Sequence, residues 1–133
     1  MNIFSGHISE IEVNGSLSMV SVQINKHIEL KTIVVETPDT AAYLRKGNSV
    51  DILFKETEVI IAKQDNLLIS IQNKIEGTIQ EIEKGMLLSK LMVSTQIGEV
   101  IAILSTEAVD RLLLIEDEKV CVMIQTNEIM ISG

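Results

Sequence analysis

The sequence predicts an all-β fold with short helices, built as two tandem copies of one small barrel. Three observations carry this. The chain repeats itself at an offset of 71 residues. Its alternating and aliphatic stretches are short and separated by turn residues. The hydrophobic fraction is 46% while the aromatic fraction is only 2%, so the core is made of Ile, Val, Leu and Met. At 133 residues the chain fits one ordinary domain or two very small ones. Units of about 60 residues bury little surface alone, so the two copies are expected to share an interface.

The repeat is read by sliding one half on the other. Asn2 meets Asn73, Gly6 meets Gly77, Ile8 meets Ile79, and Glu10, Ile11 and Glu12 meet Glu81, Ile82 and Glu83. Val20 and Val22 meet Leu91 and Val93. The offset then drops to 70, and Val50, Ile52 and Phe54 meet Val120, Val122 and Ile124. Glu58 and Val59 meet Glu128 and Ile129. The first copy is assigned to residues 1–64 and the second to 69–133. "KQDNLL", Lys63 to Leu68, joins them and is too short to make the copies independent.

Each copy opens with an alternating segment, "NIFSGHISEIEVNG" or "NKIEGTIQEIEKG". Asn14-Gly15 and Lys84-Gly85 end these segments with turn chemistry, Gly allowing a positive φ. "SMVSVQI" alternates next, with Val20, Val22 and Ile24 on one face. "ELKTIVV" and "EVIAILS" are β-branched or aliphatic strands. "SVDILFK" and "KVCVMIQ" alternate again, and "EVIIA" and "EIMIS" close each copy. One segment per copy breaks the pattern. In "ETPDTAAYLRKG" Thr37 is a cap, Pro38 suits a first turn and Gly47 an end. In "STEAVDRLLL" Ser105 or Thr106 is the cap, with Glu107 near the positive end of the helix dipole. Five strands and one short helix are the order of an OB-like barrel.

Several function classes are disfavoured. The formal net charge is -8, which repels a nucleic-acid duplex or an anionic membrane surface. Few aromatic faces are available for stacking bases. Neither nucleic acid nor membrane is an expected partner. There is no signal-peptide h-region and no apolar stretch long enough to span a bilayer, so the expected location is cytoplasmic. Cys121, in "VCVMI", is read as an inert buried thiol, since burial raises a thiol's pKa. His7 and His27 have no counterparts in the other copy, and no ligand spacing indicates a metal site. Glu116, Asp117 and Glu118 read as a turn carrying solvated charge. No Gly-rich phosphate loop or Ser/His/Asp motif is present, so no catalysis is expected.

"SIQNKIEGTIQEIEKG" resembles the opening of a Mop (molbindin, TOBE-type) domain. That family starts with Ser-Ala-Arg-Asn, then Gly, an alternating strand and a Lys-Gly or Glu-Gly turn. It closes with Lys-Ala-Ser/Thr and a following Val. "FKETEV", Phe54 to Val59, is similar to that ending, and "IQTNEI", Ile124 to Ile129, is less so. The resemblance covers nearly the whole chain as two tandem copies. It implies binding of molybdate or tungstate as ligand, for storage, homeostasis or sensing. It also implies a free-standing homo-oligomer, a trimer, with oxyanions between copies or subunits.

A tetrahedral dianion offers only acceptors, so its site consists of donors. Carried over by resemblance, Ser70 matches the family's Ser, Ile71 its Ala, Gln72 its Arg and Asn73 its Asn. Lys55, Glu56 and Thr57 match the closing Lys-Ala-Ser. Gln72 keeps side-chain donors but loses the fixed positive charge. Gln125 stands for Lys in the second copy, and the first begins at Met1-Asn2 without a full lead-in. The surviving halves, Ser70–Asn73 and Lys55–Thr57, are therefore expected to meet across a copy or subunit boundary. Asn2 is a weaker candidate, and Lys31 and Thr32 are candidates for a second anion site. Each has an ordinary structural reading: Lys55 as a solvated edge lysine, Ser70 and Gln72 as exposed strand positions, Asn2 and Asn73 as holders of a turn or the barrel mouth. Two functions stay open. One is oxyanion binding. The other is an oligomeric interaction module whose anion sites have decayed.

Overall fold

In the computed structural model, residues 1–63 and 68–133 are described. Residues 64–67, which hold the expected end of the first copy and most of the joining segment, lie outside them. The first copy supplies β1 (Asn2–Asn14), β2 (Leu17–Gln23), β3 (Glu29–Val34), β4 (Ser49–Phe54) and β5 (Ile60–Ala62). The second supplies β6 (Asn73–Lys84), β7 (Leu88–Thr95), β8 (Gly98–Ser105), helix α1 (Thr106–Arg111), β9 (Lys119–Ile124) and β10 (Met130–Ser132).

The long first strand of each copy bends where an extra residue interrupts its pairing. The shift falls between Ile8 and Glu10 in β1 and between Ile79 and Glu81 in β6. A bulge kinks a strand and sharpens its twist, which curls each sheet. Gly6 and Gly77 sit just ahead of the bulges. A Cβ on Gly6 would lie 2.4 Å from Gln23 O, and one on Gly77 2.5 Å from Val93 Cγ1. No side chain fits there.

The two sheets run β10-β4-β1-β2-β3 and β5-β9-β6-β7-β8. Each copy's closing strand therefore belongs to the other copy's sheet. Ile60 to Ala62 pair with Met123 to Cys121, and Met130 to Ser132 pair with Leu53 to Asp51. This corrects the expectation that "EVIIA" and "EIMIS" close their own copies. The cause is the 3-10 turn after each fourth strand, Glu56–Glu58 and Thr126–Glu128. Each turn is followed by a buried anchor, Val59 or Ile129, each 3% exposed. Alternation in sequence marks a strand but not the edge it joins.

One core serves both copies. Ile8, Val20, Val22, Ile52 and Phe54 cluster with Ile79, Leu91, Val93, Val122 and Ile124, all fully buried. The expected shared interface is thus the core itself. Two asparagines pin it at the sheet edges. Asn73 Oδ1 accepts from Lys31 N at 2.7 Å and its Nδ2 donates to Lys31 O at 2.8 Å. Asn2 does the same for Ile101, both bonds at 2.9 Å. Each amide mimics a strand's backbone and pairs an edge residue of the other copy.

The copies differ at the helix. α1 is capped by Ser105, whose Oγ accepts from Ala108 N at 3.1 Å. Thr106, the other candidate cap, instead donates from Oγ1 to Gly85 O at 2.8 Å. The helix expected after Thr37 is absent, and turns fill that segment. At the 70-residue offset Val35 replaces Ser105 and Pro38 replaces Ala108. Cap acceptor and cap donor are both missing, because Val has no side-chain oxygen and Pro no N–H. Gly15 does take a positive φ, 63°. Gly85 does not. It is needed for closeness, since a Cβ there would lie 2.4 Å from Leu88 O.

Candidate functional site

The register places the site. Asn73 pairs with Ile124 across β6 and β9, so Gln72 and Gln125, the next residues outward, lie side by side. Together Ile69, Ser70, Ile71, Gln72, Gln125 and Thr126 line a pocket of about 240 Å3. Ser70 and Gln72 are exposed and Ile71 is half-buried. Hydroxyl and amide groups dominate the polar lining, and no charged side chain stands among these residues.

The matching end of the other sheet is built from the first copy. Asn2 pairs with Phe54 across β1 and β4, which sets Met1 beside Lys55. Lys55 and Thr57 are exposed, and Glu56 is half-buried. The Met1 ammonium donates to Glu56 Oε2. That hydrogen bond is the main cause holding the Glu56 carboxyl below the usual carboxylate range, with its own backbone N–H and the charge of Lys90 adding to it. This end thus carries a carboxylate as well as the Lys55 ammonium.

Ser70, Ile71 and Gln72 lie along one wall of the pocket. Their partners within the chain are Gln125 and Thr126 rather than Lys55 and Thr57, which do not line that pocket. Sequence matching overlooked Thr126 as a wall. Its signal was strand pairing: whatever follows β9 must face whatever precedes β6. Asn73 and Asn2 are 1% and 5% exposed, with both amide atoms engaged in the edge clamps. Their structural reading accounts for them. Thr32 is corrected: its side chain is 1% exposed and its Oγ1 donates to Ile129 O at 2.5 Å, joining β3 to the exchanged segment. Lys31 turns its Nζ along its own sheet, 3.1 Å from Ser21 Oγ and 3.9 Å from Glu29 Oε1. Among the described residues no group of three or more His, Cys, Asp or Glu is placed to hold a metal ion, and no helix is long and apolar enough to cross a membrane. Cys121 is buried, 2% exposed.

Residues 69–131 match the family model of the TOBE domain. The second copy is a TOBE domain. The TOBE copy holds the whole pocket just described, from Ile69 to Thr126. The fold of the full chain is similar to that of a solved cytoplasmic molybdate-binding protein, ModG. The TM-score is 0.90 at 21% identity, over 98% of this chain and 94% of that one. That likeness extends the fold of the TOBE copy to a tandem pair of OB-like Mop units. The chain is also similar to the molybdenum transport protein ModE of Herbaspirillum seropedicae, at 25% identity over 133 residues. It covers 98% of this chain and 49% of that one, so the chain spans about half the length of this relative. A molybdate-binding protein from Sporomusa ovata is 30% identical over 44% of this chain and 88% of its own, with a TM-score of 0.43.

Proposed function

We propose that this protein binds a tetrahedral oxyanion, molybdate or tungstate, for storage, homeostasis or sensing in the cytoplasm, and is not an enzyme. The observation that carries the reading is the pocket of the TOBE copy. Its side-chain polar groups are hydroxyls and amides, it contains no carboxylate, and it includes Ser70 to Gln72, which the resemblance to Mop domains implies as ligands. Donors without competing anionic acceptors suit a ligand that can only accept. The relatives support it: ModG and the Sporomusa ovata protein are described as binding molybdate, and ModE as a molybdenum transport protein.

In the complete site, Ser70, Gln72 and the Ile71 N–H of one chain are joined by Lys55 and Thr57 of a second, in a homo-oligomer, a trimer. The Lys55 ammonium then supplies the charge-assisted bond that Gln72 and Gln125 lack. Asn73 contributes by holding the lead-in strand in place. The second reading, an interaction module with decayed sites, is favoured by Gln72, Gln125 and the carboxylate of Glu56. Titration calorimetry with molybdate, tungstate and sulfate on the intact oligomer separates the two. Molybdate binding that is abolished in Ser70→Ala and in Lys55→Ala supports the oxyanion reading. Absence of heat with all three anions leaves the interaction module.

A further inference from the structure

A second pocket lies on the solvent face of the second copy's sheet and shares no residue with the Ser70–Gln72 pocket. Strand register builds it. Thr78 pairs with Lys119 across β6 and β9, and with Ser94 across β6 and β7. The three side chains therefore stand in one row on one face, cross-strand neighbours about 5 Å apart. Glu76 lies two residues back along β6, on the same face. Lys63, just past β5, closes the side beyond β9. The pocket holds about 530 Å3, more than twice the 240 Å3 at Ser70–Gln72.

The first copy has the same row in other chemistry. His7 pairs with Ser49 and with Gln23, and Ser5 pairs with Asp51 in the next row. Polar groups there are spent within the chain: Gln23 Nε2 donates to Asn25 O at 2.7 Å, and Ser5 Oγ to Asp51 Oδ1 at 2.6 Å. In the second copy the row is left open. Among the described residues, the side chains of Thr78, Ser94 and Lys119 have no hydrogen-bond or ion-pair partner. The fold does not call for these residues, because Ser49 and Gln23 occupy the sister positions of Lys119 and Ser94. Lys63 is held in place by Glu118 Oε2 and Leu112 O, both at 2.9 Å, and keeps a third ammonium N–H beyond those two bonds.

We propose that this pocket binds a small hydroxylated organic anion whose charge is a carboxylate or a phosphate. The Lys119 ammonium and the Thr78 and Ser94 hydroxyls present donors in one line to the anionic group, and bonds to an ionised acceptor are the strong ones. Glu76 adds a carboxylate, which can only accept. It repels a bare tetrahedral dianion but accepts from a hydroxyl on the ligand's body. Size agrees with this. Organic ligands occupy pockets of about 300–1,000 Å3, whereas a tetrahedral oxyanion would leave most of 530 Å3 empty. The inference stands apart from molybdate binding, since none of Ser70, Gln72, Lys55 or Thr57 lines this pocket.

Titration calorimetry on the intact oligomer tests it with ribose 5-phosphate, citrate and inorganic phosphate, each with and without molybdate present. At least one of the two organic anions is expected to bind, at one site per chain, and the one that binds identifies the charged group. Molybdate is expected not to displace it. Inorganic phosphate, lacking the hydroxylated body, is expected to bind at least about tenfold more weakly, the loss of about 1.4 kcal/mol. Two variants import the sister copy's residues, which the same fold already accommodates. Lys119→Ser removes the charge, and Ser94→Gln crowds the row. Each is expected to raise the dissociation constant of the organic anion at least about tenfold, the worth of one charge-assisted bond, while circular dichroism and the molybdate titration stay as in the wild type. No heat with either organic anion, inorganic phosphate binding as tightly as they do, or variants that bind like the wild type would each overturn the proposal. Failure to bind molybdate, with the organic anion bound as expected, would count against the oxyanion reading alone.

Discussion

Replacing Asn73 with Ala removes a single side chain but breaks a bond between the two copies in both directions. The amide accepts from Lys31 N at 2.7 Å and donates to Lys31 O at 2.8 Å, at a position 1% exposed. Alanine leaves both Lys31 groups without a partner at a partly buried edge. An unsatisfied donor or acceptor costs about 1–3 kcal/mol. With incomplete desolvation, and water reaching one of the two, the expected loss is roughly 2–4 kcal/mol. A domain's whole stability is about 5–15 kcal/mol, so this is a large fraction. Urea unfolding followed by circular dichroism measures it. With a slope of about 1–3 kcal/mol per molar, the midpoint should fall by about 1–2 M with the slope unchanged. Asn73→Asp should be no better, because it keeps the acceptor for Lys31 N but faces a carboxylate toward Lys31 O. Asn2→Ala, with both bonds at 2.9 Å and 5% exposure, should lose slightly less. A loss below about 0.5 kcal/mol, the range of ordinary surface substitutions, would refute the view that these amides hold the copies together.

Three further outcomes are expected. Tyr43 is the only tyrosine; burial, a 2.6 Å bond from its hydroxyl to Glu36 Oε1 and the charge of Glu36 push its pKa up to about 12. The folded state thus keeps a proton that the unfolded chain releases near pH 10. Tyrosinate absorbance should rise late, with a midpoint near 12, and this contribution to stability should be present below pH 10 and lost as pH climbs from 10 to 12; Glu36→Gln should lower the midpoint. Ser105→Ala removes the cap bond to Ala108 N and should cost about 1 kcal/mol in urea unfolding, whereas Val35→Ala in the uncapped first copy should show no cap loss. Gln72→Arg combined with Gln125→Lys restores fixed positive charge around the 240 Å3 pocket, and calorimetry should find molybdate affinity raised by at least about tenfold, the worth of one charge-assisted bond.

The strands were legible because alternation is a local signal. "SVDILF" and "KVCVMI" announce buried faces through Val50, Ile52 and Val120, Val122 without reference to anything distant. The repeat made the copies legible twice over, and it matched Gly6 with Gly77, whose shared tight spot the structure then showed. Three things were not legible, each for a non-local reason. The partners of β5 and β10 depend on where a 3-10 turn sends the chain, and three-residue strands carry no mark of their edge. The missing first helix turned on which residues stand at Ser105 and Ala108 in the sister copy, a comparison that composition around Thr37 obscures. The committed state of Asn73 and Thr32 could not be seen either, since their partners, Lys31 and Ile129, lie far away in sequence. Family matching found the Ser70–Gln72 wall of the pocket, while strand register was needed to add Thr126.

The reciprocal loan of β5 and β10 has a bearing on how this protein comes into being. Were the halves separate polypeptides, each would wait for a mate to lend the missing ribbon, and assembly would depend on concentration. Tethering them makes the lender local, at an effective concentration set by the tether alone. A ribosome releasing only the first half would present a sheet short of its rim, with its own spare ribbon unpaired. Neither sheet can then be finished early, and both gain their rims only once β10 has been made.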